Sequence, residues 1–269
     1  MEDPARGVTA IASQPRRVLG RTPRPVTVAI AVAWALAVAA QLTGAAARVH
    51  HGALSDGAPL WAALILFLIA WQVMLAAMML PSSLPLMRMF QAASRSQART
   101  TTVRAAFLAG YAGVWTLFGA VAFLADVALY RTIDANGWLA ARAWLIAPIV
   151  LAVAGAFQFS SLKERCLQKC RHPAPYMLAH YRRGVRGALR LGSGHGLFCL
   201  GCCWALMLVM FATGVAMLWW MAVLTASMVY EKTGRHGDAL SPFVGIALLG
   251  LAVLSFMHPG VLGTPHGHH

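Results

Sequence analysis

Long apolar runs, separated by short polar and basic stretches, fill the chain from residue 26 onwards. A helix needs about 20 apolar residues to cross the hydrocarbon core of a bilayer. Seven runs reach or approach this length, at 26–47, 60–80, 105–129, 143–162, 197–213, 215–230 and 240–257. The pattern predicts an all-α, polytopic membrane protein, a helical bundle of about seven transmembrane helices that occupies residues 26–258.

The two ends of the chain depart from this pattern. Residues 1–25 are polar and carry five arginines, which predicts a disordered, basic cytoplasmic tail. Residues 259–269 form a short His-containing tail, of a composition that can bind metals loosely. Inside the second run, Pro81 and Pro85 predict a stop or kink near Leu80, because proline cannot donate a backbone hydrogen bond.

Charged residues are few and mostly basic. The chain is 59% hydrophobic and 11% charged, with a formal net charge of +14. In a soluble protein this charge would suggest nucleic acid, but here the basic residues lie in the loops, where membrane topology explains them. With the N-terminus in the cytoplasm, 19 of the 22 Lys and Arg residues fall on the cytoplasmic side. This asymmetry predicts that the N-terminus lies in the cytoplasm. The partner of the apolar helices is then the lipid bilayer, and no nucleic acid is expected to bind.

All five cysteines lie in two clusters near the cytoplasmic ends of helices. Cys166 and Cys170 are four residues apart on a helical extension of the fourth run. Cys199, Cys202 and Cys203 begin the fifth run. Thiolates select soft metals such as copper(I) and zinc, and the cytoplasm is too reducing for structural disulfides. The clusters predict a soft-metal site if the two helix ends pack together; burial of the cysteines as small hydrophobes is the alternative.

Two details qualify the cysteine pattern. Cys202 and Cys203 are adjacent, so on a helix they point about 100° apart, which disfavours joint binding of one small ion. The glycines at 192–196 predict a flexible lead into the fifth helix.

Three further side chains are candidate ligands for a copper or zinc ion. His195 precedes Cys199 by four residues and would be a mixed ligand. Met74 and Met78 are four residues apart and share one helix face, which offers thioethers to copper(I). Methionine also fills irregular space in helix packing, and this is the alternative interpretation of the pair.

Four separated blocks carry a resemblance to a known family. They read W-x-x-M-x-x-A-M-M-L-P-x-x-x-P at 71–85, Q-x-x-x-L-K-x-x-C-L-x-x-C-R-x-P at 158–173, G-x-x-C-x-G-C-C-W-x-L-M at 196–207, and E-K at 231–232. The chain resembles, over about residues 60–235, the bacterial family of predicted metal-binding integral membrane proteins, a domain of unknown function. The resemblance implies a multi-pass protein of the bacterial cytoplasmic (inner) membrane with a role in metal handling or delivery. A metallochaperone or a membrane protein would be its partner.

Other functions stay open from the sequence. A transporter or permease needs polar side chains along its path, and the apolar runs contain few. A redox enzyme could use the C-x-x-C spacing, but no cofactor fingerprint, nucleophile elbow or carboxylate pair accompanies it, so an enzyme is the less favoured interpretation. A structural membrane subunit without metal is the remaining possibility.

Overall fold

The computed structural model describes residues 24–45, 57–213 and 218–258. This part of the chain contains ten α-helices and no strand, which confirms the all-α prediction. The helices are α1 (Arg24–Leu42), α2 (Leu60–Ala93), α3 (Thr100–Asp134), α4 (Gly137–Ala140), α5 (Ile146–Phe157), α6 (Ser161–Arg171), α7 (Pro173–His180), α8 (Val185–Thr213), α9 (Leu218–Thr233) and α10 (Gly237–Met257). The predicted tail at 259–269 and nearly all of the one at 1–25 lie outside the described residues.

Five helices are long and apolar enough to cross a membrane: α1, α2, α3, α8 and α10. A sixth span would combine Ala143–Phe157 with α6, two segments that meet at a bend of 64°. The predicted run at 215–230 corresponds to α9, which has 16 residues. Large apolar side chains also face outward on these helices; Leu117 and Phe243, for example, are each 68% exposed. An apolar outer surface on long helices is compatible with contact to lipid.

Of the stop or kink predicted near Leu80, the stop is wrong, because α2 continues through both of its prolines. Pro81 has no N–H to donate to the carbonyl of Ala77, four residues earlier. Trp34 of α1 supplies the missing donor, since its Nε1 donates to the Ala77 carbonyl at 3.1 Å. A membrane-length helix tolerates proline when a neighbouring helix satisfies the freed carbonyl in this way.

The predicted flexible lead at 192–196 is also wrong, because these residues are helical within α8. Their glycines permit close contact with α3. A Cβ atom at Gly192 would lie 2.0 Å from the carbonyl oxygen of Phe107, and one at Gly110 would lie 2.3 Å from the carbonyl oxygen of Leu189. The α3–α8 contact is therefore made backbone to backbone, as small residues allow in membrane helices.

Buried side chains form two clusters. The smaller one includes the stacked rings of Phe90 and Phe107, whose centroids are 4.6 Å apart. The larger one contains the buried cysteines together with several methionines, and most of the membrane-length helices contribute to it. The chemistry suggested by the sequence is thus concentrated in one core.

Candidate metal centre

Four of the five cysteines meet in the core where α6 packs against α8; we call Cys170, Cys199, Cys202 and Cys203 the thiol cluster. Cys202 Sγ lies 3.3 Å from Cys203 Sγ, and its thiol donates to the Cys199 carbonyl at 3.1 Å. Cys203 lies one helical turn after Cys199 on α8, and both are buried in the same core. Cys170, the member from α6, is buried in that core as well, and its side chain lies close to Cys202. The two sequence clusters are therefore neighbours in the fold.

The thiol cluster is closed to solvent. Cys170 is 6% exposed and the other three thiols at most 1%. Although adjacent residues on a helix point about 100° apart, the side chains of Cys202 and Cys203 bring their sulfurs together. Within the described residues, no group of three or more His, Cys, Asp or Glu side chains is spaced as a ready metal site. The six predicted Cys and His ligands are therefore not arranged in advance as a site of three or more donors.

Cys166 lies outside the thiol cluster, at its rim. It is only partly buried, whereas the other four cysteines are buried. Its Sγ packs against the backbone of α8, where a Cβ atom on Gly201 would lie 2.6 Å away. One helical turn separates it from Cys170, and the outer face of α6 is polar and exposed. Cys166 is therefore the most exposed of the five thiols.

This difference in burial predicts selective alkylation. In reduced, detergent-purified protein, N-ethylmaleimide is expected to modify Cys166 well before any other cysteine, because the other thiols are at most 6% exposed. Intact-mass spectrometry should show a single adduct, and the Cys166→Ser variant should stay unmodified over the same time. Several adducts on the wild type, or continued labelling of the variant, would contradict the burial pattern.

Hydrogen bonds connect Cys199 to side chains from α2 and α3. Tyr111 OH lies 3.2 Å from Cys199 Sγ, and Ser83 donates to the Tyr111 hydroxyl at 3.2 Å. His195 Nε2 lies 3.2 Å from Ser83 Oγ, and its ring stacks on that of Tyr111 with centroids 5.5 Å apart. The predicted ligand His195 thus reaches the thiol cluster through Ser83 and Tyr111, two residues that the sequence analysis did not single out.

Lys232, at the end of α9, places a buried amine beside the thiol cluster. Its Nζ donates to Ser82 Oγ at 2.9 Å and to Cys199 Sγ at 3.2 Å. The carboxylate next to it in the chain, Glu231, is engaged elsewhere by Lys163. Since a buried ammonium needs a nearby negative charge, Cys199 is the thiol placed to balance Lys232 when a bound metal ion displaces its proton.

A second buried polar network fixes α9 against α6 and α10. Lys163 and Glu231 are each 1% exposed, and Lys163 Nζ lies 2.8 Å and 3.0 Å from the two carboxylate oxygens. Ser241 donates to Glu231 Oε1 at 2.9 Å, and Lys163 also donates to Gln158 Oε1. Arg171 donates to the Glu231 backbone carbonyl at 3.2 Å. All four sequence blocks therefore converge in and beside the thiol cluster.

In the sequence, Lys163, Glu231 and Lys232 stand only as members of the blocks, and no local pattern assigns them a role. A signal was present, because charged residues beside or within apolar helices are functional candidates by default. Nothing in the sequence, however, indicated that Glu231 and Lys232 enter different networks.

Met74 and Met78 lie in the same apolar core as the thiol cluster and are 6% and 0% exposed. Such burial is what the packing of methionine requires. It also places thioethers within the core that surrounds the thiols.

Tyr176, on α7, borders the thiol cluster from outside the membrane-length helices. Burial, together with the nearby Cys170, raises the pKa of Tyr176 to about 12. Its hydroxyl therefore stays protonated at neutral pH and donates to the Leu191 carbonyl at 3.2 Å. This hydrogen bond ties α7 to α8 beside the site.

Fold and site together define an all-α protein in which membrane-length apolar helices enclose a buried thiol cluster. The chain belongs to the PpoB2 family, described as a copper chaperone, whose profile matches residues 68–255. The match covers more than two thirds of the chain and includes every cysteine. The match is consistent with a metal-related bacterial protein, and the family description names copper. It does not show the family of predicted metal-binding integral membrane proteins that the sequence blocks resemble. No curated protein and no solved structure matches the chain.

Proposed function

We propose that this protein is a multi-pass protein of the bacterial inner membrane that holds copper(I) at the thiol cluster and delivers it to a partner protein. The observation that carries the proposal is the convergence of Cys170 from α6 with the three cysteines of α8 in one closed core. Membership of a copper chaperone family supports copper as the metal.

The orientation in the membrane is part of the proposal. We place the N-terminus in the cytoplasm and count about seven spans, with α9 as a short one. The distribution of Lys and Arg, 19 on one side and three on the other, supports this arrangement. The thiol cluster then lies near the cytoplasmic face, where copper is present as copper(I) because the compartment is reducing.

The charges around the thiol cluster suit copper(I). Thiolates are the soft ligands that this ion prefers. Copper(I) held by two thiolates carries one net negative charge, which the ammonium of Lys232 balances inside a buried site. Zinc held by all four thiolates would carry two negative charges, of which Lys232 balances only one. A monovalent ion therefore leaves less uncompensated charge in the core.

Copper retained by the purified protein tests the proposal. The full chain is produced with added copper, purified in detergent under reducing conditions, and its copper and zinc contents are measured by elemental mass spectrometry. Wild type is expected to retain about one copper ion per chain, because the thiols meet only in the folded protein. The Cys202→Ser, Cys203→Ser double variant interrupts the middle of the thiol cluster and should retain almost none.

Cys166→Ser is the matched control for this experiment. Like the double variant, it removes a thiol where α6 packs against α8, but this thiol lies outside the thiol cluster. Its copper retention should therefore match that of wild type. Size-exclusion profiles of the three proteins confirm that each is folded. Equal copper in wild type and the double variant rules the proposal out.

A further inference from the structure

We propose that Cys166 is the transfer thiol of this site: it accepts copper(I) from a small anionic thiol complex at the polar surface and passes it to Cys170. The inference rests on the proposed function and adds the donor class and the route by which the ion reaches the thiol cluster. It separates Cys166 from the other four cysteines, which hold the ion.

Access to the thiol cluster requires such an intermediate. Three of its thiols are at most 1% exposed and Cys170 is 6% exposed, so a donor complex cannot touch them directly. Cys166 is partly exposed on the same helix as Cys170. Helix α6 buries Lys163, Leu167 and Cys170 and exposes Glu164, Arg165 and Lys169 on its other side. Cys166 lies where these two faces meet.

The cysteines follow one another in the order that stepwise transfer requires. Residues four apart on a helix have Cβ atoms about 5–6 Å apart, so Cys166 and Cys170 are neighbours along α6. Cys170 in turn lies close to Cys202. Cys166 Sγ also lies against Gly201, where a side chain on α8 would collide with it. Cys166 thus lies at the partly exposed edge of α6, and Cys170 lies one turn further along on its buried face.

The charges around Cys166 define the donor. Arg165 and Lys169 are exposed beside it, and the Lys169 ammonium is held 4.1 Å above the centre of the Phe198 ring. Copper(I) complexes of glutathione are anionic, because the peptide carries two carboxylates and binds through its thiolate. A basic rim raises the local concentration of such a complex and speeds its encounter with Cys166.

Each transfer is a ligand exchange that leaves the oxidation state of copper(I) unchanged. In the first step a bond from copper to the donor sulfur breaks and a bond to Cys166 Sγ forms. The proton of the Cys166 thiol passes to the released donor sulfur, which departs as a thiol. In the second step Cys170 Sγ replaces Cys166 Sγ on copper, and the proton of the Cys170 thiol passes to Cys166 Sγ. No electron is gained or lost.

Loading kinetics test the inference. Copper-free wild type in detergent is mixed with copper(I)–glutathione in a stopped-flow instrument, and the copper–thiolate absorbance of the protein is followed. Cys166→Ser and Cys166→Ala are expected to load about tenfold more slowly or worse, because the nearby acceptor thiol is lost. Both variants should reach the same final copper content as wild type. Gln168→Ala, which changes another partly buried side chain of α6, should load at the wild-type rate.

The outcomes separate this inference from the proposed function. Unchanged loading rates in both Cys166 variants overturn the transfer role. A lower final copper content in these variants also overturns it, because Cys166 would then be a ligand of the stored ion. If wild type itself retains no copper, the proposed function fails.

Discussion

Replacing Glu231 by glutamine is expected to lower the free energy of unfolding by about 3–5 kcal/mol, because it leaves the Lys163 ammonium buried without its counter-charge. Both side chains of this pair are 1% exposed, so water cannot solvate the remaining charge. Ser241 and Gln158 keep their contacts in the variant, which confines the change to the ionic interaction. Denaturant unfolding in detergent, followed by tryptophan fluorescence, measures the effect.

Asp238→Asn is the matched control for this prediction. It makes the same chemical change in the Arg171–Asp238 pair, whose atoms are 2.6 Å apart but whose aspartate is 66% exposed. Exposed pairs contribute at most about 1 kcal/mol, so this variant should unfold almost like wild type. Comparable losses in the two variants would show that burial does not decide the strength of the Lys163–Glu231 pair.

Replacing Gly192 by alanine is expected to destabilise the protein by about 1–3 kcal/mol, as overpacking of a close contact does. The added Cβ atom would lie 2.0 Å from the backbone carbonyl oxygen of Phe107, so α3 and α8 must move apart. That movement would also stretch the 3.2 Å contact between Tyr111 on α3 and Cys199 on α8. The melting temperature in detergent and the copper retained on purification should both fall.

Gly113→Ala on α3 supplies the control, because a Cβ atom there meets nothing within 4 Å. Alanine favours a helix over glycine by up to about 1 kcal/mol, so this variant should be as stable as wild type or slightly more stable. Equal destabilisation at both positions would show that helix propensity or insertion, and not the α3–α8 contact, governs the result. The structure thus separates two glycines that the sequence presents as equivalent.

Local patterns predicted the helices well, because a membrane-length helix consists of consecutive apolar residues, which can be recognised directly in the sequence. The run at 240–257 corresponds to α10 (Gly237–Met257), and the run at 26–47 to α1 (Arg24–Leu42). The helix predictions that failed did so because of contacts between residues far apart in the chain. The helix persists at Pro81 because Trp34, far away in the chain, satisfies the freed carbonyl.

The kind of donor atom in the candidate site could be predicted from the sequence, but the full set of residues that form the site could not. Five cysteines in two clusters indicated a soft-metal site from residue type alone. The role of Lys232 was not predictable, because the neighbouring Glu231 made the pair look like an ordinary polar helix end. Its contact with Cys199 joins residues 33 positions apart.

Helical, apolar segments that carry soft donors could be predicted from the residues alone, since these properties depend on composition and on the spacing of nearby residues. Which donors meet depends on how the helices pack. Cys166 and Cys170 lie on one stretch of helix, yet only Cys170 faces the thiols of α8. Glu231 and Lys232 are adjacent, yet they join different networks, because successive side chains on a helix point about 100° apart toward different neighbours.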